Sequence, residues 1–241
     1  MSRARPRPRR RSVLPGLCLV FALTADASPS PDTAILSGDP RAAHALQQFL
    51  ARFSAAHQHS ASRRLEASGS GQRAWLDVET EFSAGTGFSY EVVAEGGSRF
   101  IRARVLRSLL DEEQRIAARG RAGATLSPGN YRFVPEGLTG EGLAAVNLQP
   151  LRRDRSLVAG RMVLTLDGEL VRIEGRLAKN PSFWVTRVDI VRSYRRINGV
   201  PMPVSLETTA RLRLMGSSAL RMTYDYSRVD DRLVEEAADA D

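Results

Sequence analysis

Cysteine and long apolar runs are both scarce in this sequence. The only cysteine, Cys18, lies within a short apolar run at residues 13–23. If residues 13–23 are removed from the chain, no thiol remains for disulfide or redox chemistry. We therefore expect the fold to be stabilised by its apolar core alone. The run is also shorter than the roughly 20 residues that a membrane-spanning helix needs. The sequence therefore predicts a mature domain that does not span a membrane.

Residues that carry catalysis are sparse as well. There are three histidines, and the pair His57 and His59 has a spacing that can bind a metal. A zinc site needs three or four ligands, however, and no cysteine or carboxylate cluster completes this one. No serine stands in a Gly-x-Ser-x-Gly turn, and the acidic run at residues 111–113 is typical of a solvated helix face. We therefore expect no enzyme, no metal and no cofactor.

The excess of positive charge is concentrated at the beginning of the chain. The formal net charge is +8, and six arginines precede the first apolar run: Arg3, Arg5, Arg7, Arg9, Arg10 and Arg11. Without residues 1–27 the net charge falls to about +3. A charge this small is weak support for a polyanionic partner, so the sequence predicts no nucleic-acid binding.

Residues 1–27 have the three parts of a secretion signal. An arginine-rich segment precedes the apolar run, and Ala25-Asp26-Ala27 then provides the small-x-small pattern that precedes cleavage. We expect cleavage before Ser28 and export to the periplasm, with an uncleaved N-terminal anchor as the alternative. Arg10 and Arg11 leave the choice between general secretion and twin-arginine export open. The Pro- and Ser-rich residues 28–38 predict a flexible spacer.

Two segments show helical periodicity. Asp39 as N-cap and Pro40 at the first position open a helix whose apolar stripe comprises Leu46, Phe49, Leu50 and Phe53. A second stripe follows the Gly96-Gly97 pair, at Ile101, Val105, Leu109 and Ile116, with Leu106 and Leu110 beside it. Both patterns predict amphipathic helices.

The remaining chain alternates with a period of two, which is typical of antiparallel strands. A short strand is predicted at residues 64–68, a hairpin at residues 73–95, and a meander at residues 160–226. Asp167-Gly168 and Asn198-Gly199 predict tight hairpin turns within the meander. Each strand has one apolar face and one face of charged residues.

These elements predict an α+β fold in residues 39–228, followed by an acidic tail at residues 229–241. A sheet with one apolar face must bury that face. A two-sheet sandwich is one solution. Two helices with single apolar stripes favour another, a strongly curved antiparallel sheet that forms an incomplete β-barrel and has both helices on its concave face.

Residues 157–226 carry a resemblance to a known superfamily. The order of signal, helix, strands, helix and long antiparallel meander resembles the periplasmic lipoprotein carriers (LolA-like), their outer-membrane receptor (LolB-like) and related stress-sensor domains (RseB-like). The resemblance implies an apolar cavity that holds acyl chains between the sheet and a helical lid. It includes no diagnostic short motif, so it transfers no functional residue to this chain.

The predicted cavity takes its lining from the apolar faces of the strands and of the second helix. Its candidate residues are Leu76, Val78, Phe82, Phe88, Tyr90, Val92, Val105, Leu109, Met162, Leu164, Leu206, Leu212, Met222 and Tyr224. An acyl chain there would gain about 0.8 kcal/mol per buried CH₂ group. The same residues in an ordinary filled core are the alternative.

Two functions remain open from the sequence. The first is a non-enzymatic periplasmic protein that binds a lipid or a lipidated protein in this cavity. The second is a cell-envelope interaction domain with a filled core, whose outer face contacts a protein partner. Trp75 and Trp184 lie on or near the outward register and are the candidates for such a contact.

Overall fold

A computed structural model describes residues 38–118, 126–183, 185–213 and 216–234. The predictions for the signal peptide and for most of the spacer lie outside these residues. Within the described ranges, no helix is long and apolar enough to cross a membrane.

In the described residues, eleven antiparallel strands form one sheet that does not close. The strands are β1 (Gln58–Gly69), β2 (Gln72–Ser83), β3 (Gly87–Gly97), β4 (Tyr131–Leu138), β5 (Ala144–Pro150), β6 (Val158–Leu164), β7 (Leu170–Leu177), β8 (Val185–Ile197), β9 (Val200–Leu212), β10 (Gly216–Val229) and β11 (Arg232–Leu233). Their order across the sheet is β3-β2-β1-β10-β9-β8-β7-β6-β5-β4, with β11 paired to β10. The predicted fold class, a curved open antiparallel sheet with helices, is confirmed.

The first strand and the last long strand lie side by side near the middle of the sheet. From β1 the chain meanders outward to the edge strand β3, and from the other edge strand, β4, it meanders back to β10. The chain between β3 and β4 contains a helical segment that packs on β1, β2 and β3.

The first helix, α1, spans Pro40–Arg52 and covers β4, β5 and β6. As predicted, Asp39 is its N-cap, and the side-chain oxygen of Asp39 accepts a hydrogen bond of 2.8 Å from the backbone N–H of Arg41. The buried face consists of Ala42, Ala45, Leu46 and Phe49. Leu50 is 38% exposed, so its predicted place in the buried stripe is wrong. The two alanines take that place because the helix approaches the sheet closely.

The segment between β3 and β4 is not a regular helix. It begins with α2 (Arg99–Ile101), continues as a π-helix (Arg102–Leu106) and ends with α3 (Arg107–Ala118). We refer to residues 99–118 as the second helical segment, and it packs on β1, β2 and β3. The wider π turn shifts the phase of the helix. The segment buries the predicted Ile101 and Leu109 together with the adjacent Leu106 and Leu110, whereas the predicted Val105 and Ile116 are only half-buried.

Two predicted boundaries differ from the structure. The first strand covers Gln58–Gly69, not residues 64–68, because its inward face includes a buried arginine that interrupts the apolar alternation. The sheet also extends past residue 228, since Val229 is fully buried and β11 pairs with β10. Asp230 accepts a hydrogen bond of 2.7 Å from the backbone N–H of His57, which ties this end of the chain to β1.

The two predicted hairpin turns have different geometries. Asn198 and Gly199 both have positive φ and join paired residues Ile197 and Val200, as a two-residue turn requires. At the other turn only Gly168 has positive φ, and the turn runs from Thr165 to Glu169, so it is longer than predicted. Helix α1 lies directly on it: a Cβ atom at Gly168 would be 2.6 Å from the backbone nitrogen of Phe49.

This contact yields a stability prediction. Gly199→Ala places a Cβ atom in open space among the described residues and should lower the free energy of unfolding by about 1–2 kcal/mol, the cost of the left-handed conformation. Gly168→Ala should add an overpacking cost of about 1–3 kcal/mol, because α1 has to move. Urea denaturation of both variants measures the difference. Equal losses would show that α1 does not rest on this turn.

Candidate functional site

The fourteen residues predicted to line an acyl-chain cavity do share the inner side of the molecule. Eight are fully buried in one apolar core: Leu76, Val78, Phe88, Leu109, Met162, Leu164, Leu206 and Met222. Five are partly buried against that core: Phe82, Tyr90, Val92, Val105 and Tyr224. Leu212 is half-exposed near the end of β9. Most of this set packs side chain against side chain, as in an ordinary interior.

A small cavity remains between the sheet and α3. Its volume is about 70 Å³, and it is partly open to solvent. Its lining consists of Ala56, His59, Arg63, Phe82, Phe88, Glu113, Ala117, Arg192, Pro201, Met202, Pro203, Tyr224 and Tyr226. Only three residues of the predicted set, Phe82, Phe88 and Tyr224, belong to this lining. The cavity has an apolar part and a strongly polar part.

Arg63 lies at the centre of the polar part. It occupies the inward register of β1 between Ala61 and Leu65, and its side chain is only 2% exposed. The guanidinium carbon lies 4.9 Å from the ring centre of Phe88 and 4.9 Å from that of Tyr224, a distance at which cation–π attraction operates. Nη1 donates a hydrogen bond of 2.9 Å to Oε2 of Glu113. Among the described residues, Nε of Arg63 has no hydrogen-bond partner.

A second buried arginine reaches the same cavity from β8. Arg192 lies on the inward register between Ile190 and Tyr194, and it is 5% exposed. Tyr194 accepts a hydrogen bond from its guanidinium group. Burial opposes the charge of both arginines, yet the neighbouring phenols and the Glu113 carboxylate raise the pKa of each above its usual value. Both side chains therefore remain cations at any physiological pH.

Glu113 comes from the second helical segment and contradicts the prediction of a solvated acidic face. Its side chain is 23% exposed and points at Arg63. Asp111 also faces the sheet, where its carboxylate accepts a hydrogen bond of 2.6 Å from the hydroxyl of Tyr90. Glu112 pairs with Arg115 along the helix. The two acidic residues on either side of Glu112 thus anchor α3 to strands β1 and β3.

His59 and Tyr226 form the wall beside Arg63. The imidazole ring stacks on Phe82 at 5.3 Å and meets the edge of Tyr226 at 5.7 Å. Burial, and then the charge of Arg63, lower the pKa of His59 to about 3, so the ring is neutral at neutral pH. Burial favours the neutral form of Tyr226 as well and therefore raises its pKa. The hydroxyl of Tyr226 donates a hydrogen bond of 2.9 Å to the backbone oxygen of Pro203.

The other sequence candidates lie outside this cavity or outside the described residues, except for His59. His57 and His59 belong to no cluster of three or more potential metal ligands in that part of the chain. Trp75 lies on the outer face as predicted, half-buried, with the guanidinium carbon of Arg64 at 4.2 Å from its ring centre. Trp184 lies outside the described residues.

Sequence reasoning missed the two arginines, although a pattern for them exists. Arg63 continues the alternation Ala61-x-Arg63-x-Leu65, and Arg192 continues Ile190-x-Arg192-x-Tyr194. An arginine on the apolar register of a central strand indicates a buried charge. Glu113 has no such pattern, because only the folded chain brings it to Arg63, 50 positions away.

Comparisons with known proteins assign no function to this site. No protein-family model matches the chain, and no curated protein matches it. Among solved structures, the chain is similar to a DUF1329 family protein from Desulfovibrio piger, at 9% sequence identity and a TM-score of 0.36, over 77% of this chain and 90% of that chain. The resemblance to the lipoprotein carriers stays a prediction.

The lowered pKa of His59 predicts a specific pH dependence of stability. Below pH 6.5, the ordinary pKa of histidine, the unfolded chain binds a proton that the folded chain does not bind until about pH 3. Stability should therefore fall with falling pH across this window, by up to about 1.4 kcal/mol per pH unit from this residue. His59→Phe should remove this contribution in urea denaturation between pH 6 and pH 4.

The matched control is His44→Phe, since His44 is exposed on α1. This variant should keep the full pH dependence of the unmodified protein. An unchanged slope in His59→Phe would show that His59 is solvated in the folded chain.

Proposed function

We propose that this chain is an exported, non-enzymatic binding protein that holds an amphiphilic ligand between the inner face of its sheet and the second helical segment. One observation carries the proposal: the fold leaves a partly open cavity beneath α3 that is apolar at one part and cationic at another. A ligand with an alkyl part and a polar head matches both parts. A lipid or a lipidated protein belongs to this class.

The apolar part of the cavity supports an alkyl chain. Ala56, Phe82, Ala117 and Met202 contribute it, together with the ring carbons of the two prolines that flank Met202. A volume of about 70 Å³ encloses a small head group, not an acyl chain. The chain would lie along the opening or would require α3 to move outward. Burial of each further CH₂ group would favour that movement by about 0.8 kcal/mol.

The protonation states of the site support binding over catalysis. A general acid or base works best with a pKa near the working pH. His59, with a pKa of about 3, and the two arginines all hold one protonation state at neutral pH. Burial also keeps Tyr194 and Tyr226 protonated by raising the pKa of both phenols. Fixed charges and fixed dipoles suit recognition of a ligand.

The second candidate is an envelope interaction domain with a filled core. The close packing of the eight fully buried residues favours it, because these residues leave their part of the interior without room for a ligand. In that case the cavity beneath α3 is a packing defect, and the outer face around Trp75 is the surface that matters.

Native mass spectrometry separates the two candidates. The full chain, exported and purified in mild detergent, should retain one amphiphile per protein molecule. Ala117→Phe fills the apolar part of the cavity and should lower the retained fraction at least fivefold. Ala118→Phe is the control, since Ala118 is the exposed neighbour on the same helix. A ligand-free protein that also takes up no added amphiphile would leave the interaction domain as the function.

A further inference from the structure

The guanidinium groups of Arg63 and Arg192 line the same small cavity. Burying these two charges lowers the stability of the fold, and a protein without a ligand could place apolar side chains there. Arg63 comes from β1 and Arg192 from β8, with β10 and β9 between these strands in the sheet. Both point inward from registers that otherwise carry apolar residues. Cations avoid the interior unless partners compensate the loss of water, and two like charges in one cavity also repel each other. A bound anion removes both penalties.

The charges on the cavity wall favour an anion. Among the described residues that line the cavity, two guanidinium groups face one carboxylate, that of Glu113. Glu113 is bonded to Arg63, and Tyr194 accepts a hydrogen bond from Arg192 without changing its charge. His59 adds no positive charge at neutral pH, and the aromatic faces of Phe88 and Tyr224 hold Arg63 in place. The wall therefore carries a net positive charge on two fixed groups.

The size of the cavity selects the anion. About 70 Å³ is the volume of roughly two water molecules in the liquid, which limits an enclosed anion to a single group the size of a tetrahedral oxyanion. Guanidinium groups present planar pairs of N–H donors that match the oxygens of phosphate. The apolar part of the cavity begins beside this polar part, so an esterified phosphate can extend its carbon chain toward it.

We propose that Arg63 and Arg192 form a binding site for a phosphate group, either the head of an amphiphile or free phosphate. The proposal rests on the proposed function, since it names the group that the same cavity holds. Glu113 then has a defined role. Its carboxylate occupies one donor of Arg63 and competes with the incoming anion for that donor.

The test compares two amphiphiles of equal chain length that differ only in charge. Lysophosphatidic acid carries the phosphate, and monoacylglycerol lacks it. Binding to the full chain is measured by calorimetry below the critical micelle concentrations, and inorganic phosphate is titrated separately. The phosphate-bearing lipid should bind at least tenfold more tightly than the neutral lipid. Phosphate binding without lipid binding would assign the site to free phosphate.

Two variants of the site should change the binding of phosphate in opposite directions, and each has a matched control. Arg192→Gln should remove the preference for the charged lipid, whereas Arg195→Gln, which changes an exposed arginine on the same strand, should keep it. Glu113→Gln removes the competing carboxylate and should tighten phosphate binding severalfold, while Glu112→Gln should leave it unchanged. Thermal unfolding checks that each variant is folded. If Arg192→Gln does not fold, the effect of Glu113→Gln decides the question.

The outcomes distinguish this inference from the proposed function. Equal affinity for both lipids, unaffected by Arg192→Gln, overturns the phosphate site and leaves an amphiphile-binding protein. Binding of inorganic phosphate alone, with loss in Arg192→Gln, supports the phosphate site and overturns the proposed function. Absence of binding to either lipid and to phosphate overturns both.

Discussion

The one-sided apolarity of the strands is the constraint on which the rest of this structure depends. The ten long strands have to turn one face away from water, and the sheet that they form in the described residues does not close on itself. Two helical segments cover different parts of that face. Helix α1 lies over β4–β6, and the second helical segment lies over β1–β3. The packing of the second helical segment on β1–β3 places Glu113 of α3 beside Arg63.

Arg63 and Arg192 matter because they place charged groups on the inner face of the sheet, which is otherwise apolar. A central strand that buries Ala61, Leu65 and Ala67 has no need of a cation between them. The fold compensates Arg63 with one carboxylate and two aromatic faces, and both the hydroxyl of Tyr194 and the charge of Glu113 favour the cation of Arg192. Polar residues that are retained in an interior at such cost are typical of functional sites. The acyl-chain cavity that the sequence suggested is largely filled, whereas the polar cavity beside it has the fixed charges that a binding site requires.

Much of the fold could be predicted from the sequence because alternation and turn residues act locally. The β2–β3 hairpin, the N-cap at Asp39 and the turn at Asn198-Gly199 depend on neighbouring residues, and the structure confirms all three. The length of β1 could not be read in this way, because Arg63 interrupts its apolar pattern. In the second helical segment the predicted Ile101 and Leu109 are buried, but Val105 and Ile116 are only half-buried, since the π-helix at Arg102–Leu106 changes the helical phase.

The candidate site was less predictable than the fold, for a physical reason. Its polar half depends on pairs that are distant in sequence: Arg63 with Glu113, Tyr226 with Pro203, and His59 with Phe82. The acidic residues 111–113 look like a solvated helix face until the sheet places a guanidinium group beside one of them. The position of a buried arginine can be inferred from its register in the strand. The carboxylate that compensates its charge cannot be inferred from the sequence, because it is distant along the chain.

The most direct test of this account is a crystal structure of the protein soaked in tungstate, a tetrahedral oxyanion with strong anomalous scattering. The account predicts an anomalous peak inside the cavity beneath α3, within hydrogen-bond distance of both Arg63 and Arg192. Anomalous peaks confined to surface arginines, with a cavity that holds only water and an intact Arg63–Glu113 pair, would contradict it.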